Sequence, residues 1–187
     1  MLVPSSADPV KLIAAVLWSD RSALEEALRR LEVLWGRIDH LGSDHPFDAS
    51  DYYEPEMGPN LEKRVISFEP LVASERLADF KRESMSIEEF LQRPTGRCVN
   101  LDPGYLDVHK VVLASVKPAC QKIHVGRGVY ADMVLRYSRG SFHPFEWTFT
   151  DYRQGVFDAS LMEIRSLYKV QLARASSTGS CGSSRKV

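Results

Sequence analysis

Hydrophobic and polar positions over the first 36 residues predict a strand followed by a helix. Residues 11–18 are almost continuously apolar, which is typical of a central strand that is covered on both faces. Residues 22–35 then place their apolar side chains on one face at helical spacing, and Ser22 with Glu25 forms a capping box at the start. Gly36 marks the predicted end of this helix, because a residue without a Cβ is favoured there.

Three further strands and a second helix follow. The strands are predicted over residues 37–41, 63–69 and 97–101, and the helix is predicted to run from a Ser74 cap to Leu91. A second capping box, Ser86 with Glu89, predicts a break in this helix near residues 84–86. The resulting order of strand, helix, strand, strand, helix, strand is that of a split βαβ unit. Right-handed crossovers then place both helices on one face of an antiparallel sheet.

The rest of the chain predicts more strands and one further helix. Residues 107–117 fit a short helix capped by Asp107 about as well as a strand, so both alternatives stay open. Turns at residues 126–128 and 138–140 separate apolar runs and predict an antiparallel meander. Asp158 begins a last amphipathic helix, and its acidic start suits the helix dipole.

These elements together predict an α+β fold, with a ferredoxin-like (split βαβ) core, added antiparallel strands and a C-terminal helix. The expected organisation is a flexible N-terminal arm over residues 1–9 and a single α+β domain over residues 10–174. A disordered Ser/Gly-rich tail is expected over residues 175–187.

Charge and cysteine content narrow the classes of partner and compartment. The 187 residues include 24 Lys plus Arg against 25 Asp plus Glu, a formal net charge of −1, so no global attraction draws the chain to nucleic acid or to a membrane surface. Three cysteines at wide spacing match neither a disulfide framework nor a zinc site, which favours the cytoplasm. No apolar segment reaches the length of a signal core or a membrane span. The sequence assigns no cofactor, metal or oligomeric state.

The densest set of reactive side chains begins at residue 100. Asn100 and Asp102 are alternate residues of an extended segment, so their side chains point to one face. Pro103-Gly104 predicts a tight turn directly after them, across which Tyr105 and Lys110 are expected to approach Asp102. A carboxylate, an amide, a phenol and an ammonium in one place hold a polar ligand or move a proton. The structural alternative is a turn in which Asp102 only accepts backbone amides.

Three other segments add candidates, each with a structural alternative. The long loop over residues 42–60 is acidic and aromatic, and loops of that length are often functional, although tyrosines also pin surface loops. Arg127 between two glycines suits an anion, although a hairpin turn is the simpler interpretation. The aromatic segment over residues 147–152 suits stacking on a ring, although covering the sheet edge before the last helix is the simpler interpretation. The candidate catalytic residues are therefore Asp102, Tyr105 and Lys110. The candidate ligand-binding residues are Asn100, Lys117, Arg127, Asp51, Tyr52, Asp132, Trp147 and Asp151.

Four of these segments carry a family resemblance. They read FDASDYYEPEMG (47–58), VNLDPGYL (99–106), GRGVYAD (126–132) and WTFTDY (147–152). In that order they resemble the bacterial and archaeal family of domains of unknown function numbered 4416, over about residues 10–172. The chain departs from the family pattern at Phe149 and Thr150, where Tyr-Pro is usual, which removes a phenol from position 149. The resemblance implies one coherent domain and no particular reaction.

Two classes of function follow from these observations. The first is a cytoplasmic domain that binds a small anionic ligand, such as a nucleotide or phosphate ester, with hydrolysis as a possible further activity. Asp102 is then the acid/base or metal ligand, and Lys110, Lys117 and Arg127 contact the anion. The alternative is a non-enzymatic adaptor, in which loop 47–58 and the Trp147 segment form a protein interface. RNA binding ranks last, because the predicted strands lack the aromatic and basic alternation of RNA-binding sheets.

Overall fold

Strand β1, Val10–Trp18, is buried along its whole length, as its continuous apolar run predicts. It lies inside an antiparallel sheet of nine strands in a computed structural model that describes residues 7–94 and 96–179. The other strands are β2 (Ile38–Leu41), β3 (His45–Pro46), β4 (Glu62–Val72), β5 (Val99–Leu106), β6 (Lys110–Ser115), β7 (Ile123–Gly126), β8 (Val129–Ser138) and β9 (Ser141–Pro144). The mixed α and β composition that the sequence predicts is confirmed.

Five helices cover the sheet. They are α1 (Arg21–Trp35), α2 (Glu54–Met57), α3 (Leu77–Leu91), α4 (Thr150–Arg153) and α5 (Asp158–Gly179), with short 3₁₀ turns at Asp51–Tyr53 and Ser74–Arg76. None of the helices within the described ranges is long and apolar enough to cross a membrane.

The strands follow the order β2-β4-β1-β5-β6-β8-β7, with β3 added beside β4 and β9 beside β8. Helices α1 and α3 lie on one face, where Leu31 and Phe80 pack in one cluster with alternate residues of β1 such as Ala14 and Val16. Helix α5 covers the other face through a cluster that includes Leu161. The sheet therefore separates two apolar cores.

Strand β5 continues straight through Pro103-Gly104, so the predicted tight turn at this position is wrong. Pro103 pairs with Ala14 of β1, and the chain turns only after Leu106. Gly104 is needed for a different reason. A Cβ on this residue would lie 2.2 Å from the carbonyl oxygen of Val112, because β6 approaches β5 closely here.

Strands β5 and β6 separate at this contact, so the part of β5 that precedes Gly104 is not paired with β6. Their pairing covers only Gly104–Leu106 and Val111–Leu113, whereas β1 pairs with β5 from Leu106 back to Val99. Strand β6 continues beside β8 instead. The sheet therefore opens between β5 and β6 next to Asn100 and Asp102.

Two of the three predicted helix starts are in different places, whereas the last helix begins at Asp158 as predicted. Helix α1 is capped by Asp20, whose carboxylate accepts a hydrogen bond from the Ala23 amide at 2.8 Å, and Ser22 lies inside the helix. Helix α3 runs unbroken through the predicted break at residues 84–86, because the Ser86 hydroxyl donates to the Arg82 carbonyl rather than capping a new helix. Ser74 opens a 3₁₀ turn and does not cap.

The second half of the chain settles the open alternative at residues 107–117. The segment contains strand β6, and the predicted meander is present as β7, β8 and β9. Helix α5 continues to Gly179, five residues past the predicted domain end at 174. Residues 1–6 of the predicted arm and 180–187 of the predicted tail lie outside the described residues.

Candidate functional site

The opening between β5 and β6 forms a cavity of about 280 Å³. Its floor comes from β5 and α3, one wall from the end of β6, and its mouth from the 3₁₀ turn at Asp51–Tyr53 and the segment before α4. The lining residues are Tyr52, Tyr53, Lys81, Met85, Glu88, Arg97, Asn100, Asp102, Leu113, Ala114, Ser115, Val116, Lys117, Lys122, Asp132 and Phe149.

Side chains of α3 replace the missing strand at the parted edge of β5. The amide of Leu101 donates to Glu88 Oε1 at 2.7 Å, and its carbonyl accepts from Lys81 Nζ at 2.9 Å and from the Ser84 hydroxyl at 3.3 Å. Backbone groups away from water need such partners, and a neighbouring strand would normally supply them. The charged residues of α3 therefore have a structural role before any ligand is considered.

Asp102 stands at the centre of the cavity floor and is held on both carboxylate oxygens. Lys81 Nζ donates to Oδ1 at 2.9 Å, and Asn100 Nδ2 donates to Oδ2 at 2.8 Å. The shared face predicted for Asn100 and Asp102 is thus present. Burial opposes ionisation of Asp102, but the attraction and hydrogen bond of Lys81, with help from Lys63 and Asn100, outweigh it and lower the pKa of the carboxyl.

Arg97 ties the mouth of the cavity to its floor. Its guanidinium donates twice to Glu56 of α2, at 2.7 and 2.8 Å, and also to Asn100 Oδ1 at 2.9 Å and Glu88 Oε2 at 3.2 Å. The hydrogen bonds to Glu56 come first among the causes that raise the pKa of Arg97. This fork fixes α2, and with it the adjoining Tyr53, against β5.

Burial determines the net pKa shift of two other acids near Asp102, Glu88 and Tyr53. It raises the pKa of Glu88, although Lys81 and the Leu101 amide favour the charged form. It also raises the pKa of the Tyr53 phenol, and the negative charge of Asp102 adds to that increase. Tyr53 is therefore a neutral phenol at physiological pH.

A second ionic group, distinct from Asp102, lines the wall of β6 and β8. Lys122 Nζ donates to the Ser115 hydroxyl at 2.9 Å and lies 3.4 Å from Asp132 Oδ2. Asp132 is 2% exposed, and its Oδ1 is buried without a hydrogen-bond partner within the described ranges. Of the three carboxylates that line the cavity, those of Asp102 and Glu88 accept hydrogen bonds on both oxygens, whereas that of Asp132 has one oxygen without a partner among the described residues.

The mouth is aromatic and carries one more cation. Lys117 Nζ contacts the Tyr52 hydroxyl and lies 3.9 Å from the centre of the Tyr52 ring. Among the lining cations, it is the one without a carboxylate oxygen within 4 Å in the part of the chain that the structure describes. Tyr52 and Phe149 are 60% and 48% exposed, so both rings have faces open to a ligand.

Five of the eleven residues proposed from sequence meet in this cavity, and they are Asn100, Asp102, Lys117, Tyr52 and Asp132. The expected approach of Tyr105 and Lys110 to Asp102 is wrong. Tyr105 packs in the cluster beneath α3, because successive residues of a strand point to opposite faces and Tyr105 is three residues from Asp102. Lys110 is paired with Asp107 beyond the other end of β5.

Three of the four remaining sequence candidates, Arg127, Trp147 and Asp151, also lie away from the cavity lining. Arg127 is in the turn between β7 and β8 with φ +53° and is paired with Asp79 at 2.6 Å, so the predicted hairpin alternative is present there. Trp147 donates to the Met133 carbonyl at 3.0 Å, and Asp151 is paired with Lys63 at 2.6 Å. Asp51 belongs to a 3₁₀ turn, and its side chain is outside the described part of the structure.

Sequence reasoning missed the α3 residues of the site, although a signal for them exists. Leu77, Lys81, Ser84 and Glu88 recur at the spacing of one helical face, so three polar residues interrupt the apolar stripe of a helix. Buried charges inside such a stripe need partners on the element beneath. Arg97 and Lys122 lie in turns and carry no comparable periodic signal.

The donor set does not match a metal site. No group of three or more His, Cys, Asp or Glu side chains suited to a metal ion occurs within residues 7–94 and 96–179. The chemistry on offer is that of ammonium, guanidinium, amide and carboxylate groups around a small cavity.

Comparison with known proteins gives one match. The family model described as "Domain of unknown function (DUF4416)" matches residues 8–168, which confirms the resemblance seen in the four sequence segments. No curated protein and no solved structure matches the chain.

Proposed function

The chain belongs to the DUF4416 family, a domain of unknown function, and from its cavity we propose that it binds a small anionic ligand of the nucleotide or phosphate-ester type. The observation that carries this proposal is Lys117. Within the described residues it has no carboxylate oxygen within 4 Å, whereas the other cations that line the cavity are paired with carboxylates.

The charges that line the cavity favour an anion. Four cations, Lys81, Arg97, Lys117 and Lys122, face three acids, Glu88, Asp102 and Asp132, which gives 4 − 3 = +1. An incoming anion at Lys117 does not have to break an ion pair, because no carboxylate oxygen of the described residues lies within 4 Å of its ammonium.

The mouth supports a ligand with a ring or a flat part next to its anionic group. Tyr52 and Phe149 both line the cavity and are largely exposed, and aromatic rings stack on planar groups. A volume of about 280 Å³ suits a phosphate with a small organic group inside and a ring at the mouth.

The proposal is restricted to binding. Asp102 accepts hydrogen bonds on both oxygens, from Lys81 and Asn100, and its lowered pKa makes the carboxylate a weaker base toward a water molecule. Hydrolysis stays a prediction of the sequence. Release of inorganic phosphate from the organic probes named below is the assay that tests it.

Isothermal titration with pyrophosphate and with adenosine monophosphate tests the binding proposal. We expect wild-type protein to bind both, and Lys117→Met to weaken both by about tenfold, because one direct charge contact is removed. Binding should also weaken as salt is raised. Lys169→Met is the matched control, since Lys169 is an exposed lysine of α5 that does not line the cavity.

Two results would contradict the proposal. One is the absence of a heat of binding for either probe at millimolar concentration in wild-type protein. The other is an equal loss of affinity in Lys117→Met and Lys169→Met, because that pattern reports a general charge effect rather than a site.

Two finer statements belong to the same proposal. The elements β1, α1, β2, β4, α3 and β5 form a split βαβ, ferredoxin-like unit, which the strand order β2-β4-β1-β5 and the common face of α1 and α3 support. The protein acts in the cytoplasm, which the free thiols of Cys98 and Cys120 support because oxidising compartments favour disulfides. The adaptor alternative stays a prediction. The exposed ring of Tyr52, in loop 47–58, lines the cavity, which fits ligand binding as well as a protein interface.

A further inference from the structure

We propose that Asp132 is a second recognition point of the cavity, which accepts a hydrogen bond from a neutral hydroxyl or N–H group of the ligand. The ligand is then an anion that also carries a neutral donor, as a sugar phosphate, a phosphorylated polyol or a nucleotide does, rather than a bare phosphate. This inference rests on the proposed anion binding and adds a substrate class to it.

The state of the two Asp132 oxygens carries the inference. Oδ2 lies 3.4 Å from Lys122 Nζ, whereas Oδ1 is buried and has no hydrogen-bond partner among the described residues. The residue as a whole is 2% exposed and lines the cavity. A buried acceptor without a hydrogen bond is destabilising, because it has lost its contact with water and gained no partner. A ligand that donates to Oδ1 removes this cost, so the site gains affinity from a group that a plain phosphate lacks.

Asp132 is built to stay where it is. It lies in β8 opposite Leu113 of β6, with paired strands on both sides of β8. Lys122 is fixed in turn by its hydrogen bond to the Ser115 hydroxyl at 2.9 Å. The free oxygen therefore has a defined position before a ligand arrives, and little conformational entropy is lost on binding.

The charge balance selects a neutral donor over a cationic one. Lys122 already balances the negative charge of Asp132, so a second ammonium would bring an unpaired positive charge into a buried group that is neutral as a whole. A hydroxyl or an uncharged N–H satisfies the oxygen without adding charge. Amines of the ligand that are protonated at neutral pH are disfavoured for the same reason.

Matched pairs of probes test this assignment by titration calorimetry. Glycerol 3-phosphate is compared with n-propyl phosphate, and adenosine monophosphate with its 2′,3′-dideoxy analogue, so each pair differs in hydroxyl donors and not in the anion. We expect at least one donor-bearing probe to bind wild-type protein about tenfold or more tightly than its partner, as for a hydrogen bond to a charged group.

The variant Asp132→Asn identifies the residue responsible. Its side-chain oxygen stays beside the Lys122 ammonium, so its NH₂ group faces the cavity and meets the ligand donor with another donor. We expect the preference within each pair to disappear, while the affinity for n-propyl phosphate is kept or rises, because a carboxylate charge beside Lys122 is removed. Circular dichroism and the melting transition establish that the variant is folded.

The outcomes separate the two proposals. Equal binding within both pairs in wild-type protein overturns the assignment of Asp132, leaves anion binding intact, and needs no variant. A preference that persists in folded Asp132→Asn also overturns it, because the donor is then read elsewhere. If no probe binds at all, anion binding fails, and the role of Asp132 fails with it.

Discussion

Two buried lysine–aspartate pairs in the same sheet differ in one respect, which is how completely the carboxylate is partnered. Lys11 and Asp39, with side chains 0% and 8% exposed, form an ion pair in which Asp39 also accepts from Ser67 at 2.7 Å and Gln171 at 3.2 Å. Lys122 and Asp132 are almost as buried, but Asp132 keeps an oxygen without a partner.

The difference separates a structural pair from a candidate recognition pair. The pair at Lys11 is closed by its neighbours, and Gln171 bridges it by accepting from Lys11 at 2.8 Å while donating to Asp39. The pair at Lys122 borders a cavity and has capacity left. Burial and charge are similar in both places, so neither property alone indicates a site. Unused hydrogen-bonding capacity next to a cavity does.

The largest expected effect comes from breaking the closed pair. Asp39→Ala leaves the ammonium of Lys11 buried with only the amide oxygen of Gln171, and we expect the free energy of unfolding to fall by about 3–5 kcal/mol. Urea unfolding followed by circular dichroism measures the change.

The control is the double variant Lys11→Met, Asp39→Ala, which removes the stranded charge. It should be more stable than Asp39→Ala alone. If both are destabilised equally, the loss comes from the space left by Asp39 and not from an unpaired ammonium.

The intermediate case is Lys81→Met, which removes the cation beside Asp102. We expect a loss of about 2 kcal/mol, less than for Asp39→Ala, because the Asp102 side chain is 28% exposed and water can solvate it in part. The Leu101 carbonyl keeps the Ser84 hydroxyl as a partner, which limits the loss further.

The dependence of this loss on pH follows from the lowered pKa of Asp102. In the folded protein the pKa lies below the ordinary value of 3.8, so ionised Asp102 contributes stability above that value. The contribution is lost as the pH falls through the folded-state pKa. The difference between wild type and Lys81→Met should therefore be constant near neutrality and shrink below about pH 4. A difference that instead grows on acidification would assign the effect to another group.

The smallest expected effect is that of Asp132→Asn on stability without ligand. Asn keeps an acceptor for Lys122, and the NH₂ group takes the place of an oxygen that has no partner, so we expect a change below about 1 kcal/mol in urea unfolding. A loss as large as that of Asp39→Ala would show that Asp132 is a structural residue like Asp39, and the contrast between the two pairs would then not hold.

Sequence patterns predicted the elements of this fold better than the places where they end. The continuous apolar run of β1 and the helical period of α1 were sufficient, since burial on both faces or on one stripe leaves a periodic record. Pro103-Gly104 was misassigned to a turn, because this dipeptide also occurs inside a strand, here at the point where the pairing of β5 with β6 ends. The close approach of β6 to Gly104 depends on pairing that the local sequence does not contain.

The candidate site was predictable where its residues are local and not where they converge through topology. Asn100 and Asp102 share a face because they are alternate residues of one strand, and this relation can be predicted from the sequence alone. Lys122 and Asp132 meet only because β7 folds back on β8, and Lys81 reaches Asp102 only because β6 is absent beside Leu101. Such contacts arise from chain reversals and need the three-dimensional arrangement.

The parted strands also make one backbone group a natural reporter for the whole region. The Leu101 amide is bonded to a side chain of α3 and not to a strand, so its proton exchanges with solvent when Glu88 moves, without any unfolding of the sheet. Exchange at this one amide therefore reads the position of α3 against β5. A molecule that fills the cavity and holds this helix in place slows that exchange, whatever its chemical identity.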